Sequence, residues 1–434
     1  MSVTKHRVRV AAAVALSAGL AASLAACSRS QNDDPEGPIT IVVQTFGNFG
    51  YEKAVEEWNA THDDIKIDFQ PQGELRDFAP RLAQWLSAGA GAGDVVGLEE
   101  GQLLQYLQQP EYFVNLFDYG GEELRDDFVS WKFERGTTNN GTFLLGLGTD
   151  VGGMALCYRR DLFEAAGLPT DRDEVSELIP DWDAYMSVGE QFTAANTGAA
   201  WIDSATSIVQ SYVMQQGDAF FYDENNNFIG DKNPTLRAAW DYGLEMATKG
   251  LTAKLGRWNS DWDAAFQNAA FATVPCPAWF AGGVIPPRAG DGAAGKWDVA
   301  RMPGGGGNWG GSYLAVPAQT KHPREAYEVA KYLTGKEGQL FAWEEAGAMP
   351  SNTGALADPR FIDTTNEYLN NAPIGKIFAE SVAGIEPMNL GPLHQQLWET
   401  VMEPAMQRAE QGGPSTYESE WEAWIKEAKD LVSQ

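Results

Sequence analysis

The chain has 434 residues, with 31 Lys and Arg against 60 Asp and Glu, for a formal charge of −29. The length points to two or three domain-sized units, and 44% hydrophobic residues are enough for a large core. The acidity argues against a nucleic-acid surface, which needs a basic face, and against docking on anionic lipid. It also disfavours an anionic small ligand and fits a neutral or cationic one.

Lys5, Arg7 and Arg9 open the chain without an acid, and residues 10–24 are rich in Ala, Val and Leu. A basic start, a short apolar run and small residues before a cut make a secretory signal. The run is too short for a comfortable membrane span. Leu24-Ala25-Ala26-Cys27 resembles the bacterial lipobox, in which cleavage precedes a Cys that is then acylated. Residues 1–26 are therefore expected to be removed, Cys27 lipidated, and 27–37 (CSRSQNDDPEG) left as a polar tether. The expected location is the outer face of the cell membrane.

The elements follow in order. Residues 39–46 are β-branched and read as a buried strand, 47–50 as a turn, and 51–60 as a helix. Residues 65–70 alternate and read as a second strand. A helix over 78–88, a strand over 94–98 and a helix over 101–108 follow. This alternation predicts an α/β sheet with right-handed crossovers. A strand at 153–158 and a helix at 160–166 restart the pattern. Helices near 183–195 and 234–249 flank the Asp/Asn-rich residues 223–227. That run lacks the Gly and Glu of a calcium loop and reads as a hairpin turn. Strands are expected at 271–275, 297–302 and 312–316, then helices at 323–346, 391–410 and 415–432. Outside the signal, Cys157 and Cys276 are an even pair in strand-like runs, expected as a disulfide rather than two buried thiols. No Cys/His spacing suits a metal, and no cofactor is expected.

Three stretches carry a resemblance. Residues 146–171 (GLGTDVGGMALCYRRDLFEAAGLPTD), 266–280 (FQNAAFATVPCPAWF) and 308–339 (NWGGSYLAVPAQTKHPREAYEVAKYLTGKEGQ) resemble extracellular solute-binding proteins of ABC importers, in the oligosaccharide group related to maltose-binding protein. The CPAW and GGSYLAVP runs look most like cellobiose- or cello-oligosaccharide-binding lipoproteins of Gram-positive bacteria. The resemblance implies a two-lobed α/β periplasmic-binding-protein-like fold with a hinge and an interlobe ligand cleft. It places one lobe at 38–149 with 303–350 and the other at 150–302 with 351–434. It also implies a monomer, an ABC permease as partner, and a non-catalytic receptor.

A sugar presents a C–H face and a rim of hydroxyls, so its site needs flat aromatics and short polar or charged groups. Of 15 Trp residues, Trp58, Trp85, Trp240, Trp343, Trp421 and Trp424 have helical neighbours and read as packing. Trp279 ends a strand, and its PAW matches the Gly-Pro-Trp of maltose-binding relatives, whose Trp stacks on sugar. Trp309 lies in a Gly-rich turn. Trp398, in HQQLW, resembles another stacking position. For the rim, Asn48 and Phe49 lie in the first strand-to-helix turn, Glu99 and Glu100 follow a strand, and Asp150 lies at the lobe crossing. Trp201 and Asp203 belong to the stretch where the resemblance is weakest. Gly310 and Gly311 allow backbone to approach a ligand.

The competing readings are a receptor for another sugar (xylo- or malto-oligosaccharide, or trehalose), a glycoside hydrolase with two carboxylates in a Trp-lined cleft, and a receptor for peptides or a cationic solute. No hydrolase motif surfaces.

Overall fold

A computed structural model describes residues 37–138, 140–216, 219–383 and 388–433. The signal, Cys27 and nearly all of the tether lie outside the described residues. Among those described, no helix is long and apolar enough to cross a membrane.

Among the described residues, nine strands form two sheets: β1 (Ile39–Thr45), β2 (Ile65–Pro71), β3 (Val95–Glu99), β4 (Gly146–Gly148), β5 (Met154–Arg159), β6 (Ala200–Ile202), β7 (Phe271–Pro277), β8 (Trp297–Ala300) and β9 (Ser312–Ala315). The first sheet has the order β2-β1-β3-β9-β4, and the second β6-β7-β5-β8. The chain has a two-lobed fold built on these two sheets. Both are mixed. β1 and β3 are parallel, while β9 runs antiparallel to β3 and β4. β6 and β7 are parallel, and β5 runs antiparallel to β7 and β8. The antiparallel β9 and β5 are where the chain passes from one sheet to the other, which simple βαβ alternation does not foresee.

The second sheet is buried on both faces. Ala155 and Cys157 of β5 join a core with Val274, Cys276, Trp297 and Val299. Leu156 and Tyr158 point the other way, into a core with Trp182, Tyr185, Phe192 and Ala272. That period-two split is the ordinary consequence of strand geometry. It also brings the two cysteines together. Ala155 is registered against Cys276 and Cys157 against Val274, so the thiols lie diagonally on one face. They form the expected disulfide, with Cα atoms 5.7 Å apart.

Three chain segments cross between the sheets and pair with one another. Asp150 bridges to Pro350 and Gly153 to Asn308. Val151 N–H donates to Met349 O at 2.9 Å, and Trp309 N–H to Gly152 O at 2.8 Å. The Asn308 side chain accepts from Gly152 N–H at 2.8 Å.

Two expected helices differ. The helix expected over 323–346 is two, Pro323–Thr334 and Lys336–Ala346, because Gly335 is extended at φ −74°, ψ 175°. The helix expected over 391–410 runs as His394–Leu397, a π-helical turn Trp398–Met402, and Glu403–Gly412. Pro404 has no N–H to continue the regular ladder, which favours the widened turn. Residues 223–227 form the expected turn, closed by Asp223 Oδ1 accepting from Asn225 and Asn227 N–H. Among the elements the sequence did not announce are β4, β6 and the helices Ser130–Arg135, Arg172–Leu178, Ala205–Gln216, Ser260–Gln267 and Ile374–Val382.

Candidate ligand cleft

Parallel strands carry loops at their C-terminal ends, and ligands of open α/β sheets bind there. In the first sheet this edge holds Asn48 and Phe49 after β1, Glu99 at the end of β3, Asp150 after β4, and Gly310 and Gly311 before β9. In the second it holds Asp203 after β6 and Trp279 after β7. The three crossings join the two edges.

At the first edge Asn48 is exposed, and its Oδ1 accepts from Gly50 N–H at 2.8 Å, fixing the turn. Phe49 packs edge-on against Phe46, centroids 5.1 Å apart. Glu99 caps the helix Glu100–Tyr106, accepting from Gly101 N–H at 2.6 Å. Burial pushes its carboxyl up to about 7 against that hydrogen bond, and Glu399 adds to the rise. Glu100 is buried and ion-paired to Arg135. Asp150 accepts from Thr149 Oγ1 at 2.7 Å and from Ser312 N–H at 2.8 Å. Lys132, which the sequence did not single out, is fully buried with its Nζ 4.0 Å from the Tyr313 ring centroid. Burial lowers it to about 8, opposed by the charges of Asp150 and Glu99.

The second edge is aromatic. Trp279 donates from Nε1 to Trp309 O at 3.3 Å, and the two rings meet edge to face at 5.9 Å. Trp258 lies 6.2 Å from Trp279 with planes 23° apart, and 5.0 Å from Trp262. Trp258 has φ +60°, a conformation that bulky residues rarely hold without local reason. Arg257 is buried, with its guanidinium carbon 4.7 Å from the Trp309 ring centroid and 5.3 Å from that of Trp258. Its Nη1 donates to Gln210 Oε1 at 3.2 Å, and its Nε lies 3.9 Å from Asp203 Oδ2. Asp203 is fully enclosed and also accepts from Trp262 Nε1 at 2.9 Å.

The π-helical turn places Trp398 and Glu399 beside Glu403. Burial pushes Glu403 up to about 7, opposed by Arg257 and Arg76 and helped by Glu399 and Asp203. Burial also raises Glu399. Carboxylates therefore run from Glu99 of the first edge through Glu399 and Glu403 to Asp203 of the second.

The structure brings Trp279, Trp309 and Gly310 together, and gathers Glu99 and Asp150 near Lys132. It corrects Trp201, which is fully buried against Phe163, Tyr185 and Phe192 and is a core residue. Trp398 is 6% exposed and packs on Phe220, so most of its ring serves the core. Arg257, Trp258 and Trp262 escaped the sequence reading because GRWNSDW looks like a turn entering a helix. Among the described residues, no group of three or more His, Cys, Asp or Glu is placed to hold a metal ion.

Residues 53–367 match the family described as bacterial extracellular solute-binding protein. A crystal structure of an extracellular solute-binding protein of family 1 is 37% identical, with a TM-score of 0.80 over 91% of this chain and 99% of that one. The chain belongs to the bacterial extracellular solute-binding proteins. The ABC transporter-associated binding protein of B. animalis subsp. lactis Bl-04, in complex with beta-1,6-galactobiose, is 20% identical, with a TM-score of 0.78 over 91% and 98%. The galacto-N-biose-/lacto-N-biose I-binding protein of Bifidobacterium longum, in complex with lacto-N-biose, is 18% identical, with a TM-score of 0.74 over 92% and 98%. No curated protein sequence matches the chain.

Proposed function

We propose that this protein is a non-catalytic, lipid-anchored receptor that binds an oligosaccharide outside the cell and delivers it to an ABC import permease. A cello-oligosaccharide is the ligand we favour. The observation that carries the reading is the pairing of two edges: Trp258, Trp279 and Trp309 on one, Glu99 and Asp150 on the other. Flat indoles suit the C–H face of a sugar, and carboxylates accept from its hydroxyls. Membership of the solute-binding family supports a receptor, and the fold is shared with proteins solved in complex with β-1,6-galactobiose and lacto-N-biose. Trp279, Trp309, Gly310, Asn48, Phe49, Glu99 and Asp150 are the residues we assign to the ligand. Trp398 and Asp203 border them.

The lobes we assign are 38–149 with 303–350 and 150–302 with 351–434. Ligand held by one is enclosed when the other swings over it, a hinge closure of the kind periplasmic binding proteins make. Closure must be only slightly favourable, because the site reopens at the permease. Anchoring rests on residues 24–27 alone.

Titration calorimetry of residues 38–434 against cellobiose, cellotriose, xylobiose, maltose, trehalose and a dipeptide mixture tests this. Micromolar or tighter binding of a β-glucan, about −8 kcal/mol, with no new reducing ends, is the expected result. Turnover would replace the receptor with a hydrolase. Binding of dipeptides alone would replace the sugar. Binding of xylobiose, maltose or trehalose instead of a β-glucan would keep the receptor and change its ligand.

A further inference from the structure

Arg257 is the least satisfied charged group in the aromatic cluster. A guanidinium has five N–H donors. Here Nη1 reaches Gln210, while Nε and Nη2 are buried without a hydrogen-bond acceptor among the described residues. Nε faces Asp203 Oδ2 only at 3.9 Å, an ion-pair distance rather than a hydrogen bond. Buried donors left unpaired cost on the order of 1–3 kcal/mol each. Asp203 accepts from Trp262 Nε1 and Ser204 N–H instead.

The surroundings say what is missing. Trp258, Trp262 and Trp309 close around the guanidinium, and Trp309 is bonded to Trp279. The residue after Arg257 holds the left-handed backbone of Trp258, which turns that indole toward Trp279. The fork thus lies against Trp309, one of the indoles assigned to the ligand, and beside Trp258. Asp203 lies at ion-pair distance and Glu403 within electrostatic reach, so the positive charge is already balanced and a second carboxylate is not called for. The missing partner is an uncharged oxygen that accepts and need not donate.

We propose that Arg257 determines specificity by donating through Nε and Nη2 to one acceptor oxygen of a neutral sugar, beside Trp258 and Trp309. This rests on the sugar reading above. It differs from the carboxylate contacts of that reading in direction. A carboxylate such as that of Asp150 can only accept from a hydroxyl, whereas Arg257 can only donate to one.

That direction is measurable. A hydroxyl replaced by hydrogen can neither donate nor accept, and one replaced by fluorine can accept weakly but not donate. Monodeoxy and monofluoro derivatives of whichever panel sugar binds (cellobiose, cellotriose, xylobiose, maltose or trehalose) are titrated into the wild-type protein and into Arg257→Lys. In the wild type, one position should lose tenfold or more as the deoxy sugar and regain most of it as the fluoro sugar. In Arg257→Lys, which keeps the charge but loses the planar fork, that deoxy penalty should fall below about twofold while penalties elsewhere persist. A wild type in which every position tolerates fluorine no better than hydrogen overturns the proposal, whether or not the variant folds. An unchanged deoxy pattern in Arg257→Lys overturns it as well. If none of the panel sugars binds, cellotriose included, the sugar reading fails first and this proposal goes with it.

Discussion

Trp258 and Trp279 lie nearly parallel, their ring centroids 6.2 Å and their planes 23° apart, although 20 residues of chain, a helix and strand β7 separate them. Trp279 is half-buried, whereas Trp201, in strand β6 of the same sheet, is wholly enclosed. Replacing each by Ala should therefore give opposite signatures. Trp279→Ala should weaken sugar binding about 10- to 100-fold with little change in melting temperature. Trp201→Ala should cost about 3–5 kcal/mol of stability, as large core truncations do. Calorimetric titration and thermal unfolding of both variants check this. Equal effects on binding would remove the distinction.

The carboxyls of Glu99 and Glu403 set a pH dependence. Each sits near 7 in the folded protein against an ordinary 4.5. The native state therefore holds more protons than the unfolded chain between those values, and stability falls as pH rises from about 4.5 to 7. The cost is fully present above the folded value and absent below the ordinary one. Glu403→Gln should flatten this slope, leaving the protein more stable at pH 8 by about 1–3 kcal/mol. Glu99→Gln should show the same sign but less gain, because it also weakens a helix cap. Melting curves at pH 5 and pH 8 for the wild type and both variants decide it.

The Cys157–Cys276 bond closes a loop with a sequence separation of 119. Closing so long a loop stabilises a fold by about 2–5 kcal/mol through the unfolded chain. Alkylation after unfolding without reductant should leave both cysteines unlabelled. Reduction should lower the melting temperature well below that of the oxidised protein. Two labels before reduction would contradict the pairing.

Gly310 and Gly311 are adjacent and should respond differently. Both have positive φ, +77° and +109°. A Cβ on Gly310 would find Trp279 Nε1 at 3.8 Å, ordinary contact, so Gly310→Ala should cost about 1–2 kcal/mol for its backbone alone. On Gly311 it would meet Asp150 O at 2.6 Å and Lys132 Nζ at 2.7 Å. Gly311→Ala should unfold at a clearly lower temperature than Gly310→Ala. Thermal denaturation of the two variants is the check.

Much of this architecture is written locally. The β-branched opening gave β1, the Cys runs gave strands on which the thiols meet, and the PAW motif marked Trp279. What stayed illegible depends on distant partners. Arg257 is bonded to Gln210, 47 residues away, and Lys132 sits in an ordinary-looking helical run. Glu403 is raised by burial that nothing in its own neighbourhood announces. Trp201 was misread because a tryptophan after a turn looks alike whether it ends in a core or at an edge. Only the β6–β7 register decides between them.

The crossings between the sheets are hydrogen-bonded to one another through Gly152 and Trp309, and through Val151 and Met349. Strands paired in this way resist sliding past each other but bend readily out of their common plane. The joint is thus a strap, not a ball. A strap folds along one crease, so the hinge closure proposed above would follow a single path.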